Sequence, residues 1–347
     1  MLVVRVNGHH HAFQSELGRD TARDRVLRAD PFRAANTSCS VLLRDAESGQ
    51  IALHLLFDVG LGVVNRLLEW AARGGPQRVD AVFLTHPHLD HYAELDRLAN
   101  SLQRARRLRG DEPWRLPVHC TAPCAAQAFG ERGAFAWLAV PGRHGRITHH
   151  PVIPCQPVRF SVEGEVVTVT PVSVYHGPTA PGAVIYVVEG AGRKVIFAWD
   201  MLRVVEEPAE PSEAERAAHV TALPVAQAGL VRGADLLFLD ANTWLPHPST
   251  GHLSIVEGLA LARAWRPRRL YWTHYGGHED LLPAEPAVNP VLELPDVQVH
   301  RPLTDPELHW LAGYVSRALG MDVRFAYEGM VVPDTEPWPE AAAARFG

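Results

Sequence analysis

The segment Thr85-His86-Pro87-His88-Leu89-Asp90-His91 places three imidazoles and a carboxylate within six residues. Nitrogen and carboxylate donors together suit a borderline divalent cation such as zinc, manganese or iron. In extended backbone His86 and His88 leave the chain on the same side. The turn at Asp90-His91 then presents a second pair of donors from another direction. Such a cluster can serve two adjacent cations, which is how a protein clamps both oxygens of a displacement at phosphorus or carbon. The segment directly follows an apolar run, Val79-Asp80-Ala81-Val82-Phe83-Leu84, that reads as a buried strand. A polar loop with accidental histidines is the alternative, and four ligand-type side chains at a strand end argue against it.

One segment cannot complete a two-cation site. Three further residues share one context, a ligand type at the C-terminal end of an apolar strand: His176 after Val172–Tyr175, Asp200 after Val195–Trp199, and His274 after Leu270–Thr273. In layered α/β proteins sites are built at those strand ends. An aspartate closing a run of five apolar residues is costly to bury alone, and between two cations its charge is needed. Taken singly, His176 and His274 also read as satisfied strand-end histidines and Asp200 as a turn cap. His252, two residues before a predicted helix, can deliver a proton to a leaving alkoxide or can be an exposed loop histidine. Asp240, after Leu236–Leu239, either orients a ligand histidine or closes a turn.

The elements that must position these groups alternate between strands and helices, without repeats or low-complexity tracts. Met1–Val6 reads as a first strand and Ile51–Asp58 as another, followed by a helix through Val63-Val64 and Leu67-Leu68 that closes at Gly74-Gly75. A helix through Leu95, Leu98 and Leu102 follows the histidine segment, then a short strand at Val118–Cys120 and a helix around Ala125–Phe129. Residues 158–174 alternate as β structure, and Ala183–Glu189 with Lys194–Ala198 read as a hairpin across Gly190-Ala191-Gly192. Ser254 and Glu257 spell a capping box for a helix that stops before Pro267, and Thr304 with Glu307 spell a second, with proline in its first turn. Glu206–Arg216 is an acidic loop leading into a helix, and 276–303 is proline-rich and irregular. No linker divides the chain, so 1–347 reads as one domain.

The 347 residues are 47% apolar, enough for a sizeable core, and carry a net charge of −6. Arg104, Arg106, Arg107 and Arg109 form the densest basic cluster, which a solvated helix end explains better than a phosphate-binding patch. Charge therefore gives no general case for nucleic acid. Four cysteines make no disulfide framework in a chain of this length. The N-terminus lacks a signal-peptide pattern, and no stretch has the length of a membrane span, so a reduced, cytoplasmic protein is expected. His119, Cys120, Cys124 and Cys155 could form a second zinc site, but a strand, a helix start and cysteines used as small apolar residues account for them better. His9-His10-His11 reads as a solvated loop in preference to a wall of the active-site mouth.

With these residues in hand, the chain resembles the metallo-β-lactamase-fold metal-dependent hydrolases. Thr85–His91 fits their His-x-His-x-Asp-His signature, and His176, Asp200 and His274 fall in order where the later ligands belong. The resemblance runs from the first strand to about Val332. It is greatest to the branch holding the tRNase Z nucleases and the phosphoribosyl cyclic phosphate phosphodiesterases. Two features point there: Gly251-His252-Leu253-Ser254 followed by a helix and Trp272-Thr273-His274, and a tail ending in Met321–Phe325 and Glu328-Gly329-Met330. The resemblance implies a four-layer αββα sandwich. It also implies one cation on His86, His88 and His176, another on Asp90, His91 and His274, and Asp200 bridging. His252 would contact phosphate and protonate the leaving group, and Asp90 counts with it as catalytic. The chain departs from that branch in having only Cys39 where a structural-zinc cysteine cluster would lie. Gly8-His9-His10-His11-Ala12 stands where a Gly-Thr-Gly turn would be, and a tRNA-gripping arm is not evident.

The expectation is an enzyme with two divalent metal ions (zinc or manganese, or else iron) that hydrolyses a small phosphodiester, cyclic or linear, through metal-bound hydroxide. The rivals are a carbonyl target (a lactone, β-lactam or thioester) and a non-hydrolytic accessory protein of the same fold, like the pyrroloquinoline quinone biosynthesis component. The expected partner is a small-molecule substrate, with neither membrane nor nucleic acid. A homodimer is the assembly to look for, through 206–230 or 276–303.

Overall fold

The computed structural model describes residues 1–12, 18–29, 34–45, 47–111, 114–142, 145–205, 223–247, 250–277, 280 and 301–332. Strand β1 (Leu2–Gly8) leads through helix α1 (Ala22–Ala29) into β2 (Ser38–Arg44) and β3 (Ile51–Phe57), three strands paired antiparallel. Helix α2 (Val63–Ala72) crosses to β4 (Ala81–Phe83), α3 (Leu95–Leu108) to β5 (Leu116–Cys120) and α4 (Ala122–Phe129) to β6 (Ile147–Pro151). These crossovers run β3, β4, β5 and β6 parallel, and parallel neighbours need such a connection.

The second half starts antiparallel, with β7 (Val158–Val162), β8 (Glu165–Tyr175), β9 (Val184–Gly190) and β10 (Arg193–Ala198). The short β11 (Arg203–Val204) pairs back onto β8. After α5 (Val225–Val231) come β12 (Leu236–Asp240), α6 (Ile255–Trp265), β13 (Arg269–Thr273), α7 (Asp305–Leu319) and β14 (Val323–Phe325). Strands β12, β13 and β14 continue β10 in parallel. Finally β15 (Val331–Val332) returns to β1, giving sheet orders β15-β1-β2-β3-β4-β5-β6 and β11-β8-β9-β10-β12-β13-β14.

Period-two patterning sorts the side chains into three apolar layers. Leu55, Phe57, Ala81 and Phe83 of one sheet meet Tyr186, Val195, Phe197 and Phe238 of the other in a core between the sheets. Leu56 and Val82 face outward, against α2, α3 and α4. Ile196, Ala198 and Leu237 face the opposite way, against α6 and α7. The result is the αββα sandwich. Phe57 anchors the middle layer, with ring centroids 5.2 Å from Phe83 and 4.6 Å from Phe197. Truncating Phe197 to alanine would cost about 3–5 kcal/mol and loosen the strand that ends at Asp200.

The expected elements are found, with β4 shorter than its apolar run. Both capping boxes form; Ser254 Oγ accepts from the Glu257 amide at 3.1 Å while Glu257 accepts the Ser254 amide at 2.9 Å. Arg104–Arg109 closes α3, as a helix end should. The acidic segment Glu206–Arg216 and most of 276–303 lie outside the described residues; of the suggested dimer surfaces, 223–230 is described and lies largely in α5. Among the described residues no helix is long and apolar enough to cross a membrane.

Candidate metal centre

Three residues of the site sit at strand ends in left-handed backbone. Asp58 after β3 has φ 57°, Asp200 after β10 φ 56° and His274 after β13 φ 62°. That region disfavours non-glycine residues, so each turn has to be held by surrounding bonds. Glycine is required nearby. A Cβ on Gly60 would lie 1.7 Å from the Asp90 carbonyl oxygen, and one on Gly251 2.9 Å from that of His176.

The seven residues converge. Asp200 separates them into two sets, because its two oxygens face different ways. Oδ1 lies 3.6 Å from His176 Nε2 and 4.0 Å from His86 Nε2. Oδ2 lies 3.2 Å from His91 Nε2 and 3.3 Å from His274 Nε2. His88 Nδ1 stands 3.2 Å from His176 Nε2, on the Oδ1 side. Asp90 Oδ2 stands 3.0 Å from His91 Nε2, on the other side.

The far edges of the rings are held by acceptors. His91 Nδ1 donates to Asp58 Oδ2 at 2.8 Å, and His176 Nδ1 donates to the Gly251 carbonyl at 3.1 Å. Thr85 Oγ1 gives its proton to Asp58 Oδ2 at 2.8 Å and so accepts from His86 Nδ1 at 3.0 Å. His88 is turned the other way, and its Nε2 donates to Thr179 Oγ1 at 3.0 Å. These bonds turn a lone pair of His86, His88, His91 and His176 inward, as histidine ligands require. The inward atoms His86 Nε2, His91 Nε2, His274 Nε2 and Asp200 Oδ2 are buried with no hydrogen-bond partner. Orphaned atoms of that kind are expensive unless a cation fills the space.

Electrostatics agree. Burial drives His86 well below its ordinary value, and burial with the neighbouring His252 takes His176 down to about 3, so both stay neutral. Burial opposes the charge on His91, yet the Asp200, Asp90 and Asp58 carboxylates raise it well above its ordinary value. The donor set of imidazole nitrogens and carboxylate oxygens fits two divalent ions of the zinc, manganese or iron kind.

His252 is buried, not an exposed loop histidine. Its Nδ1 donates to Asp240 Oδ2 at 2.9 Å and lies 3.8 Å from Asp200 Oδ1. Burial works against its charge, but Asp240 prevails and raises it to about 9. Asp240 thus orients His252 and is more than a turn residue, and its Oδ1 faces His274 Nδ1 at 3.6 Å, beyond hydrogen-bond length.

The solvated loop expected at His9–His11 is buried instead. His9 Nε2 donates to Asp305 at 2.9 Å, His10 Nδ1 accepts from Arg23 at 3.1 Å, and the His274 amide donates to the His9 carbonyl at 2.9 Å. The turn is thereby wedged between the sheets' ends, and His11 reaches the site with its ring centroid 4.7 Å from that of His274 and 5.4 Å from that of His252. Near the cysteines, His119 stacks on Phe83 at 4.6 Å, and it is His149 that approaches Cys120, with Nε2 3.2 Å from the Cys120 carbonyl. All four cysteines are free thiols, and Cys39, Cys120 and Cys124 are buried. Asp58 and Thr179 were not singled out from sequence as site residues. Asp58 has the same signal as Asp200, an acid closing an apolar strand; Thr179 has none.

The site opens into a cleft of about 860 Å³ whose lining includes His88, Asp90, His176, Asp200 and His252. The family model of the beta-lactamase superfamily domain matches residues 54–275, from β3 to the residue after His274. No curated protein matches in sequence. Among solved structures, a diphosphatase of the PhnP family is similar at 20% identity and TM-score 0.62, with 97% of this chain and 98% of that one covered. Human tRNase Z, short form, is similar at 16% identity and TM-score 0.52, covering 95% and 98%. Zinc-bound PqqB from Methylobacterium extorquens is similar at 14% identity and TM-score 0.56, covering 96% and 99%. At these identities the likeness is one of fold.

Proposed function

The chain belongs to the beta-lactamase superfamily, and from that premise we propose that it is a dinuclear metal-dependent phosphodiesterase acting on a small substrate. His86, His88 and His176 would hold one ion, Asp90, His91 and His274 the other, with Asp200 between them. Two divalent ions there would supply an activated water and neutralise charge developing at phosphorus.

The chain's own residues do the rest. Asp58, Thr85, Thr179 and the Gly251 carbonyl fix the ligand rings, so little reorganisation is needed during reaction. The observation that carries the phosphodiester reading is the Asp240–His252 pair beside Asp200 in the cleft. An imidazolium held by a buried carboxylate can place a proton on a departing alkoxide. Phosphodiesters with alcohol leaving groups need that proton, whereas opening an activated carbonyl depends on it less. The fold shared with a PhnP-family diphosphatase supports the same reading.

The test is a substrate panel for the purified, metal-loaded protein, bis(4-nitrophenyl) phosphate against lactones, a β-lactam and thioesters. Hydrolysis of the phosphodiester is expected. Cleavage of the carbonyl substrates alone would overturn the reading.

A further inference from the structure

The cleft's floor and walls differ in kind. The floor is the polar centre already described. The walls are largely aliphatic, with Ala12, Leu61, Leu89, Ala93, Pro178 and Leu202 beside the polar His11, Tyr175, Thr179 and Thr250. Leu61 and Leu89 are each 54% exposed, large apolar side chains left in water at the mouth. Both belong to segments that the site itself fixes. Leu89 lies between His88 and Asp90, and Leu61 follows Gly60, which packs against the Asp90 carbonyl. Their placement is therefore tied to the ligands and is not a loop's accident.

Charge points the same way. Among the described residues lining the cleft there is no lysine or arginine, while Asp90 and Asp200 contribute carboxylates. Once the reacting group occupies the centre and His252, a second phosphate or a carboxylate would lie along walls whose described residues offer no lysine or arginine to meet it, at a desolvation cost. The neighbouring groove along α3 shares Leu61 and Ala93, and there Glu94 and Asp96 balance Arg97 and Arg104. Arg97 is already paired to Glu94 at 3.0 Å.

We infer that the substrate's non-reacting substituent is uncharged and apolar, an alkyl or aryl group seated on Leu61 and Leu89 while the reacting group lies over the centre. The inference deepens the phosphodiesterase reading and rests on the same cleft. It excludes nucleotides and sugar phosphates bearing a second phosphate as preferred substrates.

Binding, not turnover, is the direct test. O-methyl alkylphosphonates of increasing chain length are titrated into the metal-loaded protein by calorimetry, with O-methyl ω-carboxyalkylphosphonates of the same lengths as charged probes. Each added methylene is expected to tighten binding about two- to fourfold until the walls are covered. In L61K the chain-length dependence should flatten and the charged probes should gain. Affinity independent of chain length, no phosphonate binding, or tighter binding of the charged probes by the unmodified protein would each overturn the inference. The two claims separate cleanly. If bis(4-nitrophenyl) phosphate is not cleaved but affinity still climbs with chain length, the reaction is wrong and the apolar seat stands.

Discussion

Asp58 Oδ2 accepts the Nδ1 proton of His91 at 2.8 Å, so the ring's Nε2 is turned to Asp200 Oδ2, 3.2 Å away. The same carboxylate accepts from Trp199 Nε1 at 2.7 Å and from Thr85 at both its amide and hydroxyl, tying β3, the histidine segment and the end of β10 together. Asp58 thus aligns a ligand without facing the cations. Asp58→Asn should weaken metal affinity about 10- to 100-fold while circular dichroism still reports a folded chain. Competition with a chromophoric chelator checks this; unchanged affinity would remove Asp58 from the account.

Gly60 gives the Asp90-His91 turn its room. Gly60→Ala puts a methyl where the Asp90 carbonyl oxygen now sits. The expected result is destabilisation by about 1–3 kcal/mol in urea unfolding, together with reduced metal content as Asp90 is displaced. A variant as stable and as metal-rich as the unmodified protein would show that the turn has slack.

His252 Nδ1 is taken up by Asp240 and is not among the seven donors assigned to the ions, so His252→Ala should keep its metal. Its turnover should fall about 10²- to 10⁴-fold on diesters with alkoxide leaving groups, and much less with 4-nitrophenolate, which leaves without a proton. Asp240→Asn should follow the same pattern more weakly. Equal losses on both leaving groups would contradict proton donation by His252.

His54 lies far from the site and gives a pH prediction. Burial lowers it to about 4, against the hydrogen bond to the Arg78 carbonyl and the charge of Asp80, and its Nε2 accepts from Ser40 at 2.8 Å. The unfolded chain takes up this proton near pH 6.5 and the folded chain only near pH 4. Acid therefore favours unfolding across that window, by up to about 3 kcal/mol from this residue. The His54 contribution to the stability of chelator-treated protein should be full above pH 6.5 and be lost down to about pH 4, so His54→Gln should reduce the loss across that window. An identical slope in the variant would refute the assignment.

Strand ends were legible because an ionisable residue after an apolar run contradicts its surroundings, and the contradiction needs a partner. That reasoning reached His176, Asp200 and His274, and it applied equally to Asp58. The capping boxes at Ser254 and Thr304 were legible because their bonds span three residues. Burial of His9–His11 was not. It depends on Arg23, Asn36, Tyr275 and Asp305, contacts separated by up to 296 positions, and three consecutive histidines otherwise read as polar surface. Thr179 is ordinary in sequence and matters only because the fold sets it against His88, 91 positions away.

The central claim is that two cations held by these seven residues drive phosphodiester cleavage. The most direct measurement is to strip the protein with a chelator and follow bis(4-nitrophenyl) phosphate hydrolysis as zinc or manganese is added back. Activity should be absent at the start and rise to a plateau at about two equivalents per chain, and the plateau should vanish in His88→Ala. Hydrolysis that survives stripping, or that is untouched by His88→Ala, would contradict it.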